Sequence, residues 1–164
     1  NIEFNTPTIG TYFSSSDYIL FLENFDECIQ TTPIQKEKSN TCYPVGIIKL
    51  SDNTEIPIHF TQEKDWKTAL ENWENRKKLL PKKSKILFKF CDREFKGKFS
   101  ENLLKRFLDI ELSKKVAFVS EYFEYTDKDL SKNKLIRTIP KELSDNDKKS
   151  SPNGNKLYQI CGTI

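Results

Sequence analysis

An aspartate and an arginine stand side by side at positions 92 and 93, directly after the apolar run 86–91, ILFKFC. A carboxylate can serve as a base or accept a sugar hydroxyl, and a guanidinium offers a two-pronged fork to phosphate or carboxylate. The run before them reads as a buried strand. In α/β sheets, ligands bind beyond the carboxyl ends of parallel strands. Asp92 is therefore the first catalytic candidate and Arg93 the first ligand-binding candidate. The plainer role is a structural pair that pins the strand to the next helix. His59 is the only histidine, so any histidine-dependent proton transfer must use it. It falls near the end of another predicted strand. A Cys–His nucleophile pair with Cys91 needs contact within about 3 Å; the plainer role is a hydrogen-bonded strand histidine.

Two further candidates are weaker in type. Arg76 opens a basic run with Lys77, Lys78, Lys82, Lys83 and Lys85. Such a run suits the diphosphate of a nucleotide sugar or an acidic polymer, and a solvated helix end explains it more simply. Gly10, inside a short predicted strand, signals a bulge or a close approach by another backbone, and it joins the ligand-binding candidates. Gly10 and Gly46 form neither a dinucleotide fingerprint nor a phosphate loop. Trp66 and Trp73 are seven residues apart, which puts them on the core face of a helix rather than on a sugar platform. Cys28, Cys42, Cys91 and Cys161 lie far apart with no CxxC spacing, so no metal site is predicted and the thiols read as reduced packing groups. The acidic stretches 121–124 and 127–129 lack a calcium-loop spacing. No cofactor is indicated.

Composition bounds the class. The chain has 164 residues, 36% hydrophobic and 12% aromatic, enough for one domain with a real core. Charged residues make up 31% and nearly balance at +3, which does not argue for nucleic acid as partner. Nor do aromatics interleave with the basic run as single-stranded nucleic acid requires. No apolar run approaches the roughly 18 residues of a membrane span. No secretion signal is visible in residues 1–15, so a cytoplasmic location is expected. The chain holds no Met, which suggests a fragment or a processed chain.

The elements that must position these residues follow from periodicity. Residues 5–13 read as a short strand, with Pro7 at its start or edge. The serines 14–16 offer an N-cap to a helix running to about Ile29, with Tyr18, Leu22, Phe25 and Ile29 on one face. Residues 30–42 read as loop. Two β-branched runs, 45–50 and 55–60, flank turn residues 51–54 and predict a hairpin, with Pro57 favouring an edge. A helix over 62–80 has Trp66, Leu70, Trp73 and Leu80 on one face, Thr61 as N-cap and Pro81 as stop. After the strand at 85–91 come a helix over 101–112 capped by Ser100 and a buried strand at 115–120, which together make a parallel crossover. Residues 135–143 suit a short strand or turn, 144–156 a mobile loop, and 157–164 a final strand. The sum is an α/β fold: one domain with a mixed sheet flanked by helices, in three αβα layers. Its core covers 1–125, and 126–164 extend the same domain.

Several of these stretches, NTPTIGTYFSSSDYILFLENF, YPVG, IHF, NWENRKK and CDRE, stand in an order that resembles a bacterial family known as domain of unknown function 1919. The resemblance runs from about Asn5 to Phe123. Members are often labelled exopolysaccharide biosynthesis proteins. The resemblance therefore implies an α/β domain tied to surface-polysaccharide production, handling a sugar, sugar nucleotide or glycan. The alternative is a non-catalytic module that docks onto a glycosyltransferase or an assembly complex. The family's usual opening strand and Asn/Cys/Trp/Gly-rich turn are absent here, and Cys91 and Phe95-Lys96 depart from its Asp-Arg-Asp-Gly style of loop.

Overall fold

The computed structural model describes residues 8–91, 98–121 and 123–139. It is an α/β structure with both antiparallel and parallel strand pairing, and the two kinds of pairing lie in separate sheets. Two compact units, Asn1–Lys83 and Ser84–Ile164, carry one sheet each.

In the first unit, helix α1 spans Ser15–Glu23 and α2 spans Phe25–Gln30. Ser14 caps α1, its hydroxyl oxygen accepting the Asp17 N–H at 3.1 Å. The single helix expected to Ile29 is broken at Asn24, whose φ of −114° leaves the helical region. Its side-chain amide donates back to the Leu20 carbonyl, a local bond that competes with continuing the helix. The buried face is Ile19, Phe21, Leu22, Phe25 and Cys28. Residues 30–42 are not all loop, because Ile34–Gln35 form a two-residue strand, β1.

The hairpin is present as β2, Val45–Lys49, and β3, Glu55–His59, in an antiparallel sheet ordered β1-β2-β3. Asn53, at φ 68°, supplies the left-handed turn residue. His59 exchanges both backbone hydrogen bonds with Tyr12 across β3's outer side, at 2.7 and 3.0 Å. Pro57, two residues earlier, faces that same side, where it has no ladder bond to lose. The strand expected over 5–13 is, within the described residues, only this one bridge at Tyr12, preceded by a turn at 8–10.

Helix α3 covers Trp66–Lys78, four residues shorter at its start than the periodicity suggests. Asp65 is the cap in place of Thr61, its carboxylate accepting the Thr68 N–H at 2.9 Å. Thr61 is taken elsewhere, donating its hydroxyl to the Gly10 carbonyl at 3.1 Å. Ala69 and Trp73 are buried, and Trp73 meets Phe21 and Phe60 edge-on with centroids 6.5 and 6.3 Å apart.

In the second unit, β4 (Phe88–Cys91), β5 (Lys115–Ser120) and β6 (Ile136–Ile139) form a parallel sheet in that order. Helix α4, Lys98–Asp109, joins the first two and starts three residues before the expected position, so Ser100 lies inside it. Phe90 stacks on Phe107 of α4 at 5.4 Å. The central strand β5 buries five of its six residues, the signature of a strand covered on both faces.

Candidate functional site

Three of the sequence candidates meet around the turn at 8–12 of the first unit. Gly10 takes a φ of 70°, which an L side chain rarely adopts, and a Cβ there would lie 2.7 Å from the Gln62 Oε1. The close approach that its glycine signals is thus to a side chain. Arg76, near the end of α3, donates from its guanidinium to the Ile9 carbonyl at 2.5 Å and lies 3.5 Å from Glu63. Glu63 in turn accepts from Asn72 at 2.8 Å. The Arg76 charge is matched within the fold, and its geometry is that of a clamp on the turn. Within the rest of the basic run, Lys77 pairs with Glu74 and Lys83 with Asp26.

His59 ends β3. Tyr12 and Tyr43 both meet its imidazole edge-on, with centroids 5.6 and 5.8 Å away and interplanar angles of 69° and 71°. Its Nδ1 is buried and has no hydrogen-bond partner among the described residues. Burial holds its pKa below the ordinary value, and Lys36 adds to that while Asp17 opposes it. The imidazole is therefore kept neutral, in the form that can accept a proton.

In the second unit the three parallel strands all end at one edge of the sheet. Cys91 is the last residue of β4, paired with Phe118 of β5, and Ser120 of β5 is paired with Ile139 of β6. Asp92 and Arg93 follow Cys91 directly in the chain and lie outside the described residues, as do the segments 144–156 and 157–164. Cys91 packs against Val116, Phe118 and Ile139, a packing role. Cys28 is similar: burial first, then Glu27, pushes its thiol up to about 12. No disulfide joins Cys28, Cys42 and Cys91.

The residue that periodicity gave no reason to single out is Glu101. It lies in the first turn of α4 and is 3% exposed. One carboxylate oxygen accepts the Thr126 N–H at 2.7 Å and the Thr126 hydroxyl at 2.8 Å, while the other faces Lys105 at 3.3 Å. Lys105 also reaches Asp127 at 2.9 Å. Burial works to raise the Glu101 pKa, but these donors outweigh it and the net direction is down. The effect is to tie the connection leaving β5 onto α4. Beside it, polar groups of Lys105, Asp109, Asp127, Asp129 and Asn133 line an open hollow of about 450 Å³. Among the described residues no group of three or more His, Cys, Asp or Glu side chains is placed to hold a metal ion. No described helix is long and apolar enough to cross a membrane.

A second unforeseen device closes α4. The Lys115 ammonium donates to the carbonyls of Phe107, Leu108 and Ile110, the last at 2.6 Å. It satisfies the carbonyls that a helix end leaves open and opposes the helix dipole with a positive charge.

A protein-family model described as "Domain of unknown function (DUF1919)" matches residues 1–155. A curated protein of Haemophilus influenzae, described as "Uncharacterized protein", is 34% identical over 73 residues. That match takes in 44% of this chain and 32% of the relative, so the chain spans about a third of the length of the protein it resembles.

Proposed function

This chain belongs to the domain-of-unknown-function family DUF1919, and from that membership we propose that it handles a sugar or sugar nucleotide in bacterial exopolysaccharide production, as a cytoplasmic enzyme or enzyme accessory. Asp92 serves as base or hydroxyl acceptor, and Arg93 holds a phosphate or carboxylate. The observation that supports the reading is the parallel ladder of β4 on β5. Asp92 and Arg93 follow Cys91, the last described residue of β4, in the chain, and α/β proteins bind ligands beyond the carboxyl ends of parallel strands. His59 is a second base candidate, kept neutral by its surroundings.

A thermal-shift titration tests the reading. The intact chain is heated with nucleotide sugars and oligosaccharides, with and without Mg²⁺ or Mn²⁺. A ligand at 100 times its Kd adds about 2.7 kcal/mol if it binds only the folded state. The expected result is a raised Tm with a nucleotide sugar that disappears in Arg93→Ala, and a turnover lost in Asp92→Asn. A chain that no ligand in the set stabilises overturns the reading and leaves the docking module, whose partner is a glycosyltransferase or assembly protein.

A further inference from the structure

The connection from β5 to β6, residues 123–135, contributes little to the core. Of these residues only Leu130 is buried, at 8%. Its own hydrogen bonds are short in sequence. The Asp127 carboxylate accepts the N–H groups of Asp129 and Leu130 at 3.0 and 3.4 Å. Ser131 donates its hydroxyl to the Lys128 carbonyl, and the Lys132 and Asn133 N–H groups donate to the carbonyls of Asp129 and Leu130. Bonds of such short reach close single turns, which are marginal on their own. Among the described residues, the polar contacts that fasten this segment to α4 gather at one end of it. Glu101 accepts the N–H and hydroxyl of Thr126, and Lys105 pairs with Asp127. Past that fastening the hollow of about 450 Å³ begins, walled by Lys105, Leu108 and Asp109 of α4 and by Asp127, Leu130 and Asn133 of the segment.

We propose that residues 123–135 form a strap on α4 that opens and recloses as one cooperative unit, with Glu101 as its latch and the hollow as the space that opening widens. Segments with few buried apolar contacts open at a free energy well below that of global unfolding. The latch sets that level here, because hydrogen bonds to an ionised acceptor are the strong ones. Glu101 belongs to α4, whose Leu103, Leu104 and Phe107 are buried, so the acceptor stays in place when the strap leaves it. Both ends of the strap are tied to β5: the Phe123 N–H donates to the Ser120 carbonyl, and the Leu135 carbonyl accepts the Ala117 N–H, each at 2.9 Å. The motion is therefore a lift between two fixed ends, and it bares the wall of the hollow that α4 supplies. The strap includes neither Asp92 nor Arg93, and its opening does not depend on what those residues hold.

The test is amide hydrogen exchange of the intact chain, followed by NMR without any ligand. The Thr126, Asp129, Leu130, Lys132 and Asn133 amides share one opening free energy, and the Phe88 amide of β4 is protected at least tenfold more. Glu101→Ala speeds the five together by about ten- to hundredfold and leaves Phe88 unchanged. Should that variant fail to fold, Lys105→Ala removes the outer half of the fastening at a partly exposed side chain, and speeds the same five alike by about two- to fivefold. Lys132→Ala is the control: its pair with Asp129 lies within the strap and is solvent-exposed, so the five rates stay as they were. Five amides with unrelated opening free energies overturn the strap. So does a latch variant that speeds Thr126 alone, or one that speeds Phe88 by the same factor. Because no sugar enters the experiment, either result leaves the reading at Asp92 and Arg93 to its own titration.

Discussion

Glu101 shows how much one side chain can carry. A buried carboxylate with three donors is stable only while each donor is in place. Glu101→Ala leaves the Thr126 N–H without its acceptor and should cost about 1–3 kcal/mol in urea unfolding. The sign of its pH dependence follows from its lowered pKa. The contribution is complete above the ordinary value of 4.5 and is lost as pH falls through the lower folded value. His59 adds an earlier step. Its folded pKa lies below 6.5, so the unfolded chain takes up the proton first, and stability begins to fall as pH drops below 6.5. A pH series of unfolding midpoints should show both steps, and His59→Gln should remove only the upper one. A series flat from pH 7 to 5 would count against the burial of His59. Neither residue's setting was legible in the sequence. The Glu101 partner Thr126 is 25 positions away, and periodicity sees only neighbours. His59 could be picked out for being unique, but its flanking rings come from positions 12 and 43.

At the scale of elements, what periodicity reads well is burial, and what it reads poorly is where a polar side chain is committed. The strand β5 is found at its observed bounds because its residues are buried nearly throughout and leave an uninterrupted apolar run. The hairpin is found because turn chemistry separates two β-branched runs. The start of α3 is misjudged because Thr61 and Asp65 are both good caps, and only the folded turn at Gly10 decides between them. Asp65→Ala should therefore cost α3 about 1 kcal/mol, measured by denaturant midpoint. Thr61→Ala should leave the helix intact and loosen the turn, read as faster amide exchange near residue 10. Gly46 belongs to this scale too. A Cβ there would sit 3.1 Å from two Trp66 ring carbons and 3.2 Å from Ile58, so the glycine seats the first residue of α3 against the hairpin. Gly10→Ala meets both a strained φ and Gln62, and should destabilise by about 1 kcal/mol or more.

At the scale of the molecule, the α/β class was legible, since β-branched runs alternate with amphipathic ones. The hairpin and the parallel crossover were legible too, but that they lie in two separate sheets rather than one mixed sheet was not, because which edges pair is chosen by packing and leaves no local mark. The leading candidates, Asp92 and Arg93, came from chain order alone, the place where a strand's apolar run stops. Each unit has its own ring contacts: Trp73 meets Phe21 and Phe60, and Phe60 meets Trp66, in the first, and Phe90 stacks on Phe107 in the second. Residues 1–83 expressed alone should thus keep the dispersed amide spectrum of the hairpin and α3. A collapsed spectrum would show that the first core depends on the second unit.

The placement of the indoles has an optical consequence. Both tryptophans of the chain, Trp66 and Trp73, lie in the first unit, one of them fully buried. The emission of this protein is accordingly a one-sided signal. Ultraviolet excitation of indole reports the solvent exposure of α3 and carries no intrinsic label for the parallel sheet. A ligand that settles beside His59 has a native reporter within its own unit, and a ligand held by Arg93 has no indole in the unit that carries it.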